Sequence, residues 1–347
     1  MPYRKHLINS NGTIKYALEL LSSVGLDTIL FAINENKQLI GSITDGDIRR
    51  GLLKGLSIEN PIAEIINQNP KFIRKENYSI DEIKNLRNNN YIVIPVLDKN
   101  DVIINIISFR SILSYLPIDV VIMAGGLGSR LKPLTDETPK PLLKIGDKTI
   151  IDYNIDRLIS FGVDDFWISV RYLANQIKEH FGDGNNRNVS IEYVSEDTPL
   201  GTIGAVSKIN NFKHDFVLIT NSDILTNLNY ENFFEDFIEK DADMSVVTIP
   251  YDVKIPYAVM ETNGHNILSF LEKPTYTYYS NGGIYLIKKS ILKNIPKNKF
   301  FNSTDLMELL LEKNLNLISY PMNNYWLDIG NPKDYLKAQN DIKQIKF

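Results

Sequence analysis

Between Ile118 and Leu142 the sequence reads IDVVIMAGGLGSRLKPLTDETPKPL, and no other stretch constrains the fold as tightly. Ile118, Val120, Val121, Ile122 and Met123 make a short, nearly unbroken apolar run. Such a run suits a strand of a parallel sheet that is covered on both faces. It stops at Ala124 and a loop holding Gly125, Gly126, Gly128 and Ser129. Glycines lack Cβ atoms, so their backbone N–H groups can come close to an anion. Arg130 adds a planar fork of donors matched to phosphate oxygens. Lys140 adds a second cation between Pro139 and Pro141, which restrict the backbone around it. From GGLG alone, a plain turn with two surface cations would read the same way. The whole string favours a grip on a polyphosphate.

The spacing fits neither common phosphate motif. A P-loop ends in Gly-Lys-Ser/Thr, which is missing here. A dinucleotide fold needs an acid at the end of the next strand, and the run Phe166–Val170 ends at Arg171. Apolar runs at Ile191–Val194 and Phe216–Thr220 and a helical pattern over Asp147–Gly162 continue the alternation of strand and helix. The expected class is α/β: a Rossmann-like, mostly parallel sheet, with ligands beyond the carboxyl ends of its strands.

Four further segments carry candidate chemistry. Asn221-Ser222-Asp223 follows an apolar strand, and Asp328 precedes Gly330-Asn331-Pro332. Each acid suits either a turn or a Mg²⁺ held against substrate phosphates, and with the glycine loop the pair reads as a split metal site. Glu196–Ala205 (EDTPLGTIGA) predicts a tight turn at Pro199 and Gly201 leading into a helix, where a flat base could lie against the backbone. A plain helix entry capped by Thr202 is the alternative. Glu272-Lys273-Pro274 and Asn281-Gly282-Gly283 offer a carboxylate and an amide for sugar hydroxyls and a point charge for a phosphate, or else solvated strand ends.

Upstream, a repeat is visible. Thr13–Gly25 and Ser79–Asn89 read as helices opened by a hydroxyl cap. Each is followed by a strand (Ile29–Ile33, Tyr91–Val96), a polar turn, a second strand and a short helix, with Thr44 and Ser108 in equivalent places. Two copies are expected to bury their faces on each other. A smaller α+β domain over residues 1–116 therefore precedes a larger one over 117–347.

Composition narrows the class. A net charge of −4 gives no general attraction to nucleic acid or membrane. The absence of cysteine rules out thiol catalysis and thiolate zinc sites, and His6, His180, His214 and His265 lack metal-ligand spacing. The N-terminus has no apolar signal core and no run approaches a membrane span, so a cytoplasmic location is expected.

The Gly125–Leu142 string resembles the signature of the sugar-1-phosphate nucleotidyltransferase family: Gly-Gly-x-Gly-(Ser/Thr)-Arg-Leu-x-Pro-Leu-Thr, then Pro-Lys-Pro. The likeness runs over residues 118–345 and implies the GT-A-like fold of that family. It implies transfer from an NTP to a sugar 1-phosphate, with Arg130, Lys140, Asp223 and Lys273 catalytic. Ala124, Gly125, Gly126, Gly128, Ser129, Glu196, Gly201 and Thr202 would bind the nucleotide, and Glu272, Lys273 and Asn281 the sugar phosphate. Mg²⁺ would sit on Asp223 and Asp328. Ile203 departs from the family's alanine and is expected to reshape the pocket. One branch continues into an acetyltransferase helix; the sequence ends at Phe347, and that activity is not expected.

Residues 3–116, through GSITDGDIRR at 41–50, resemble a pair of cystathionine-β-synthase (CBS) motifs. The likeness implies one regulatory adenosyl ligand on Thr44 and Asp47, since Ser108 and Ser111 lack the second acid; a dimerisation surface without ligand is the alternative. A CBS pair ahead of such a domain is similar to guanylyltransferases that use GTP and glucosamine-1-phosphate in legionaminic acid synthesis. Mannose-1-phosphate or manno-heptose-1-phosphate guanylyl transfer, a UTP-using homologue and a non-catalytic nucleotide sensor are the alternatives. A homo-oligomer is expected.

Overall fold

The computed structural model describes residues 2–345. They fall into two compact units: residues up to Pro117 together with Leu158–Asp164 and Asp183–Ser190, and the remainder.

The first unit carries the repeat. β1 (Leu7–Asn9), α1 (Ile14–Ser23), β2 (Ile29–Ile33), β3 (Leu39–Thr44) and α2 (Asp45–Leu53) form one copy. β4 (Ile73–Arg74), α3 (Ile80–Asn88), β5 (Val93–Leu97) and β6 (Ile103–Ser108) form the other. In each three-stranded sheet the central strand is parallel to the first and antiparallel to the third. Thr13 and Ser79 cap their helices as expected, accepting from the Tyr16 and Glu82 amides. Phe31 from one copy packs with Val93, Leu97 and Ile103 from the other, so the halves share a core.

The copies differ at their ends. Thr44 and Asp47 form a capping box that starts α2. After Ser108 the expected helix is replaced by turns. Ser111 stands where the first copy has an acid, and its hydroxyl donates to the Ser108 carbonyl at 3.0 Å. No capping box forms here, and the Ser108 hydroxyl donates instead to Asp27 Oδ1 at 3.1 Å.

The second unit is built on a seven-stranded sheet. Its elements are β7 (Ile118–Met123), the short hairpin β8 (Lys144–Ile145) and β9 (Lys148–Thr149), α4 (Ile150–Ser160), β10 (Asp165–Val170), α5 (Ala174–Phe181), β11 (Ser190–Ser195) and β12 (Phe216–Asn221). There follow β13 (Ile224–Thr226), α6 (Tyr230–Glu239), β14 (Met244–Lys254), β15 (Val259–Asn263), β16 (Asn266–Leu271), β17 (Thr275–Lys288), α7 (Ser303–Glu312), β18 (Leu317–Pro321), β19 (Trp326–Asp328) and α8 (Pro332–Asp341).

The strand order is β11-β10-β7-β12-β17-β14-β18. β7 is parallel to both β10 and β12, and β14 is parallel to β18. β17 alone is set antiparallel to both its neighbours, β12 and β14. The apolar run that marked β7 is buried as expected, with Val120, Val121 and Ile122 fully covered. One core cluster joins Val121, Val217, Ile219, Tyr285 and Ile287 on the sheet to Leu306 and Leu310 of α7.

At the start of α4 a second capping box forms. The Thr149 amide and hydroxyl donate to the Asp152 carboxylate at 3.0 and 2.6 Å, and the Asp152 amide donates to Thr149 Oγ1 at 3.3 Å. Burial would raise the Asp152 pKa, but these bonds and His180, 3.0 Å away, hold it below the usual carboxylate value. A depressed carboxylate stabilises the fold above its unfolded pKa and loses that effect as pH falls through the folded value. Asp152→Ala is expected to cost about 1–2 kcal/mol at neutral pH. The gap to wild type should close in acid, as urea denaturation over a pH series would show.

Candidate active site

β7, β10 and β12 run parallel, so their carboxyl ends open on one side of the sheet, and functional segments leave there. After β7 comes the glycine loop, after β10 Arg171, and after β12 Ser222 and Asp223. Glu196, which follows β11, joins them in a pocket of about 400 Å³. Gly125, Gly126, Gly128, Ser129, Arg130, Lys140, Gly201 and Thr202 line it too.

The loop needs its glycines at two points. Gly128 has φ +64°, and a Cβ there would lie 2.9 Å from Thr135 Cγ2 and 3.0 Å from Lys140 Cβ. A Cβ on Gly125 would lie 2.8 Å from the Glu196 carboxylate. The loop thus lies close against both the lysine and the acid. Ala124 takes no part in the pocket: it is buried, and its N–H donates to the Ser169 carbonyl at 2.9 Å. Arg130 sits on a 3₁₀ turn, Ser129–Leu131, exposed and ion-paired to no acid among the described residues. Lys140, by contrast, is buried and contacts Asp223 Oδ2.

β13 and β19 bring the two candidate metal ligands together. Ile224 pairs with Asp328, and the Ile329 amide donates to the Asp223 carbonyl at 3.0 Å. One oxygen of each carboxylate, Asp223 Oδ1 and Asp328 Oδ1, is buried without a hydrogen-bond partner. Burial, then the Asp223 charge, push the Asp328 pKa up, while Lys140 and Arg130 pull it back. Two adjacent acceptor-only oxygens with no donors suit a hard divalent cation.

The Glu196–Ala205 segment departs from expectation. The turn leads into a 3₁₀ helix, Gly204–Lys208, and Thr202 is not its cap. Instead the turn is tied to residues 301–303. The Thr202 amide donates to Asn302 Oδ1 at 3.2 Å, the Ile203 and Gly204 amides donate to the Phe301 carbonyl, and Thr202 Oγ1 accepts from the Ser303 amide at 2.8 Å. These N–H groups are therefore spent, and the wall can meet a base by shape but not with those donors. Ile203 is fully buried in the core and does not reshape the pocket. The Glu196 carboxylate accepts from the Ser169 hydroxyl and, at 3.1 Å, from the Leu200 amide, so it braces the wall as well as lining the pocket.

Three expected sugar-site residues lie elsewhere. Glu272 and Lys273 are exposed between β16 and β17, outside the pocket lining. Asn281 accepts from the Gly283 amide at 2.9 Å and the Tyr285 hydroxyl at 3.0 Å. Arg171 and Phe300, which no sequence motif marks, also line the pocket. Arg171 Nε donates to the Gly125 carbonyl at 3.2 Å and so fixes the loop. Its place directly after β10 was the available signal. Thr44 and Asp47 lie in the first unit, in a cavity of about 410 Å³.

An acid whose pKa is raised by folding destabilises the fold above that pKa and has no effect below its unfolded value. Asp328→Asn is therefore expected to stabilise the protein by about 1 kcal/mol at neutral pH without added divalent ion. Thermal melts with a chelator present test this, and the gain should vanish in acid.

A Nucleotidyl transferase family model matches residues 119–345. The D-glycero-alpha-D-manno-heptose 1-phosphate guanylyltransferase of Aneurinibacillus thermoaerophilus is 32% identical over 230 residues, covering 65% of this chain and 98% of that protein. The UTP–glucose-1-phosphate uridylyltransferase of Synechocystis sp. is 29% identical over 252 residues, and the match spans 65% of this chain and 65% of the relative's length. The crystal structure of HddC from Yersinia pseudotuberculosis complexed with GMP-PN superposes with a TM-score of 0.50 at 29% identity, over 65% of this chain and 99% of that one. The matched span holds the whole pocket and both acids, and the chain belongs to the nucleotidyl transferase family.

Proposed function

We propose that the chain transfers a nucleotidyl group from a nucleoside triphosphate to a sugar 1-phosphate and releases pyrophosphate. The observation that carries this is the pair of buried, unpartnered oxygens on Asp223 and Asp328 beside Lys140 and a glycine loop. A protein that only binds nucleotide has no need to hold two acids together in this way.

In this reading an oxygen of the sugar phosphate attacks the α-phosphorus in line. The bond to the bridging oxygen breaks, and pyrophosphate leaves with the electron pair. A phosphate monoester has a second pKa near ~6, so the nucleophile needs no general base. Arg130 and the loop amides hold the β and γ phosphates, and Lys140 steadies the charge on the transferring group. Asp223 and Asp328 would hold Mg²⁺, which supplies charge neutralisation between the reacting phosphates.

GTP and glucosamine-1-phosphate, as used in legionaminic acid synthesis, are the proposed substrates. The heptose-1-phosphate guanylyltransferase relative favours a second reading, guanylyl transfer to a manno-heptose or mannose phosphate. Pyrophosphate release from GTP, UTP and other triphosphates with Mg²⁺ and a panel of sugar 1-phosphates is expected to name the pair. No release with any pair would leave the nucleotide-sensing alternative. Arg130→Ala and Asp223→Ala are each expected to lower turnover by roughly a hundredfold or more.

For the first unit we propose an adenosyl ligand in the cavity that Thr44, Asp47, Arg50, Lys71 and Arg110 line. There the Asp47 carboxylate already accepts from Thr44 and Arg50, so a ribose would share it. Calorimetry of the whole chain with AMP and ATP is expected to show binding at a single site per chain. No heat at millimolar ligand would leave the unit a scaffold.

No helix among the described residues is long and apolar enough to cross a membrane.

A further inference from the structure

β14 and β17 do not stop at the sheet edge. Their ladder continues without a break from Thr248↔Asn281 to Lys254↔Thr275, and the Ile255 amide extends it to the Pro274 carbonyl at 3.0 Å. Beyond it β15 and β16 pair as a terminal hairpin, with Val259 opposite Leu271. Six residue steps of ladder carry this tip on the order of 20 Å from Asn281.

The arm is exposed along nearly its whole length. Every residue of β16 is exposed, as are all of β15 except the half-buried Val259. Yet it is rich in apolar side chains: Tyr251, Tyr257, Ile267, Phe270, Tyr278 and Tyr279 are each at least 60% exposed. Ile267 and Leu268 are adjacent, as are Phe270 and Leu271, so both faces of the tip are apolar. A two-stranded ribbon is marginal alone in water, and monomers rarely expose apolar patches of this size. Its apolar side chains expose on the order of 1,000 Å², against roughly 800 Å² per partner in a standard interface.

At the foot of the tip lie Glu272 and Lys273. Lys273 has φ +45°, a left-handed conformation unfavourable for a lysine. A carboxylate and an ammonium side by side suit the hydroxyls and phosphate of a sugar phosphate. The pocket of the same chain is lined by neither, and its rim carries Phe300, 63% exposed.

We propose that the arm is exchanged between two copies of this chain, so that Glu272 and Lys273 of one copy complete the sugar-phosphate end of the pocket in the other. Folding back onto its own pocket would break ladder pairs and cover one apolar face. A two-fold exchange covers both, one on the other copy's pocket rim and one on the other copy's arm, and it closes without further growth. The inference rests on the nucleotidyl-transfer reading for its ligand but not for its geometry.

Two variants test it by activity. One carries Glu272→Ala and Lys273→Ala, the other Arg130→Ala. Each is expected to be inactive alone. Co-expressed in equal amounts, they should recover roughly a quarter of wild-type activity, because half the dimers are mixed and each mixed dimer holds one complete site. An active wild type with no recovery, or full activity of the arm variant, overturns the proposal. The chain has no cysteine, so Glu272→Cys on one copy and Phe300→Cys on another give a readout independent of turnover. Oxidation should yield a covalent dimer containing one of each. A monomer by light scattering with no such crosslink overturns the exchange even if the transfer reading stands. A crosslink in a protein inactive with every substrate leaves the exchange and removes the transfer reading.

Discussion

Two carboxylates set side by side in a half-buried site repel each other, and much of the second unit serves to keep them there. Asp223 and Asp328 are far apart in sequence. The short β13–β19 ladder joins them, with Ile224 opposite Asp328. Lys140 contacts Asp223 from beneath the glycine loop. Burial and the neighbouring charge raise the Asp328 pKa, and Lys140 and Arg130 offset only part of that rise. Asp328 is therefore harder to ionise here than in water, and a cation between the two acids would relieve that cost.

The glycine loop is fitted to that arrangement. Gly128 leaves room for Lys140 and Thr135, and the Thr135 hydroxyl donates to the Gly128 carbonyl at 2.9 Å. Gly125 leaves room for Glu196, which is held in turn by Ser169 on β10 and by the Leu200 amide. Arg171 reaches the Gly125 carbonyl from the end of β10. The ends of β10 and β11 thus brace one loop, and the loop can present its N–H groups without reorganising when a phosphate arrives.

Much of this was legible because it is local. The apolar run before Gly125, the hydroxyl caps at Thr13 and Ser79 and the acids after β12 and in β19 are all signals within a few residues. What was missed depends on contacts between distant segments. Arg171 looked like a strand terminus because its partner, the Gly125 carbonyl, belongs to another strand's loop. The Gly201 turn could not be told from a helix entry without residues 301–303, which take its N–H groups. The missing helix after Ser108 goes with an absent acid at 111 and a Ser108 hydroxyl bonded to the distant Asp27. The arm was illegible for a further reason: β14 and β17 each alternate like ordinary strands, and nothing in the pattern says where the sheet ends and the projection begins.

The root of the arm touches both acid-bearing elements. A Cβ on Gly283, which has φ +71°, would lie 2.7 Å from Asn221 Nδ2, two residues before Asp223. The Trp326 indole donates to the Gly282 carbonyl at 2.9 Å, two residues before Asp328. A Cβ on Gly282 would in turn lie 2.8 Å from the Val247 carbonyl, at the bulge where the β14–β17 register shifts. The strand that carries the arm is thus packed without slack against the segments that hold Asp223 and Asp328. β17 also pairs Tyr285 with Ile219 and Ile284 with Thr220, directly ahead of Asn221. One strand, set against the direction of its neighbours, is thus both the partner of the strand that leads to Asp223 and the base of the arm.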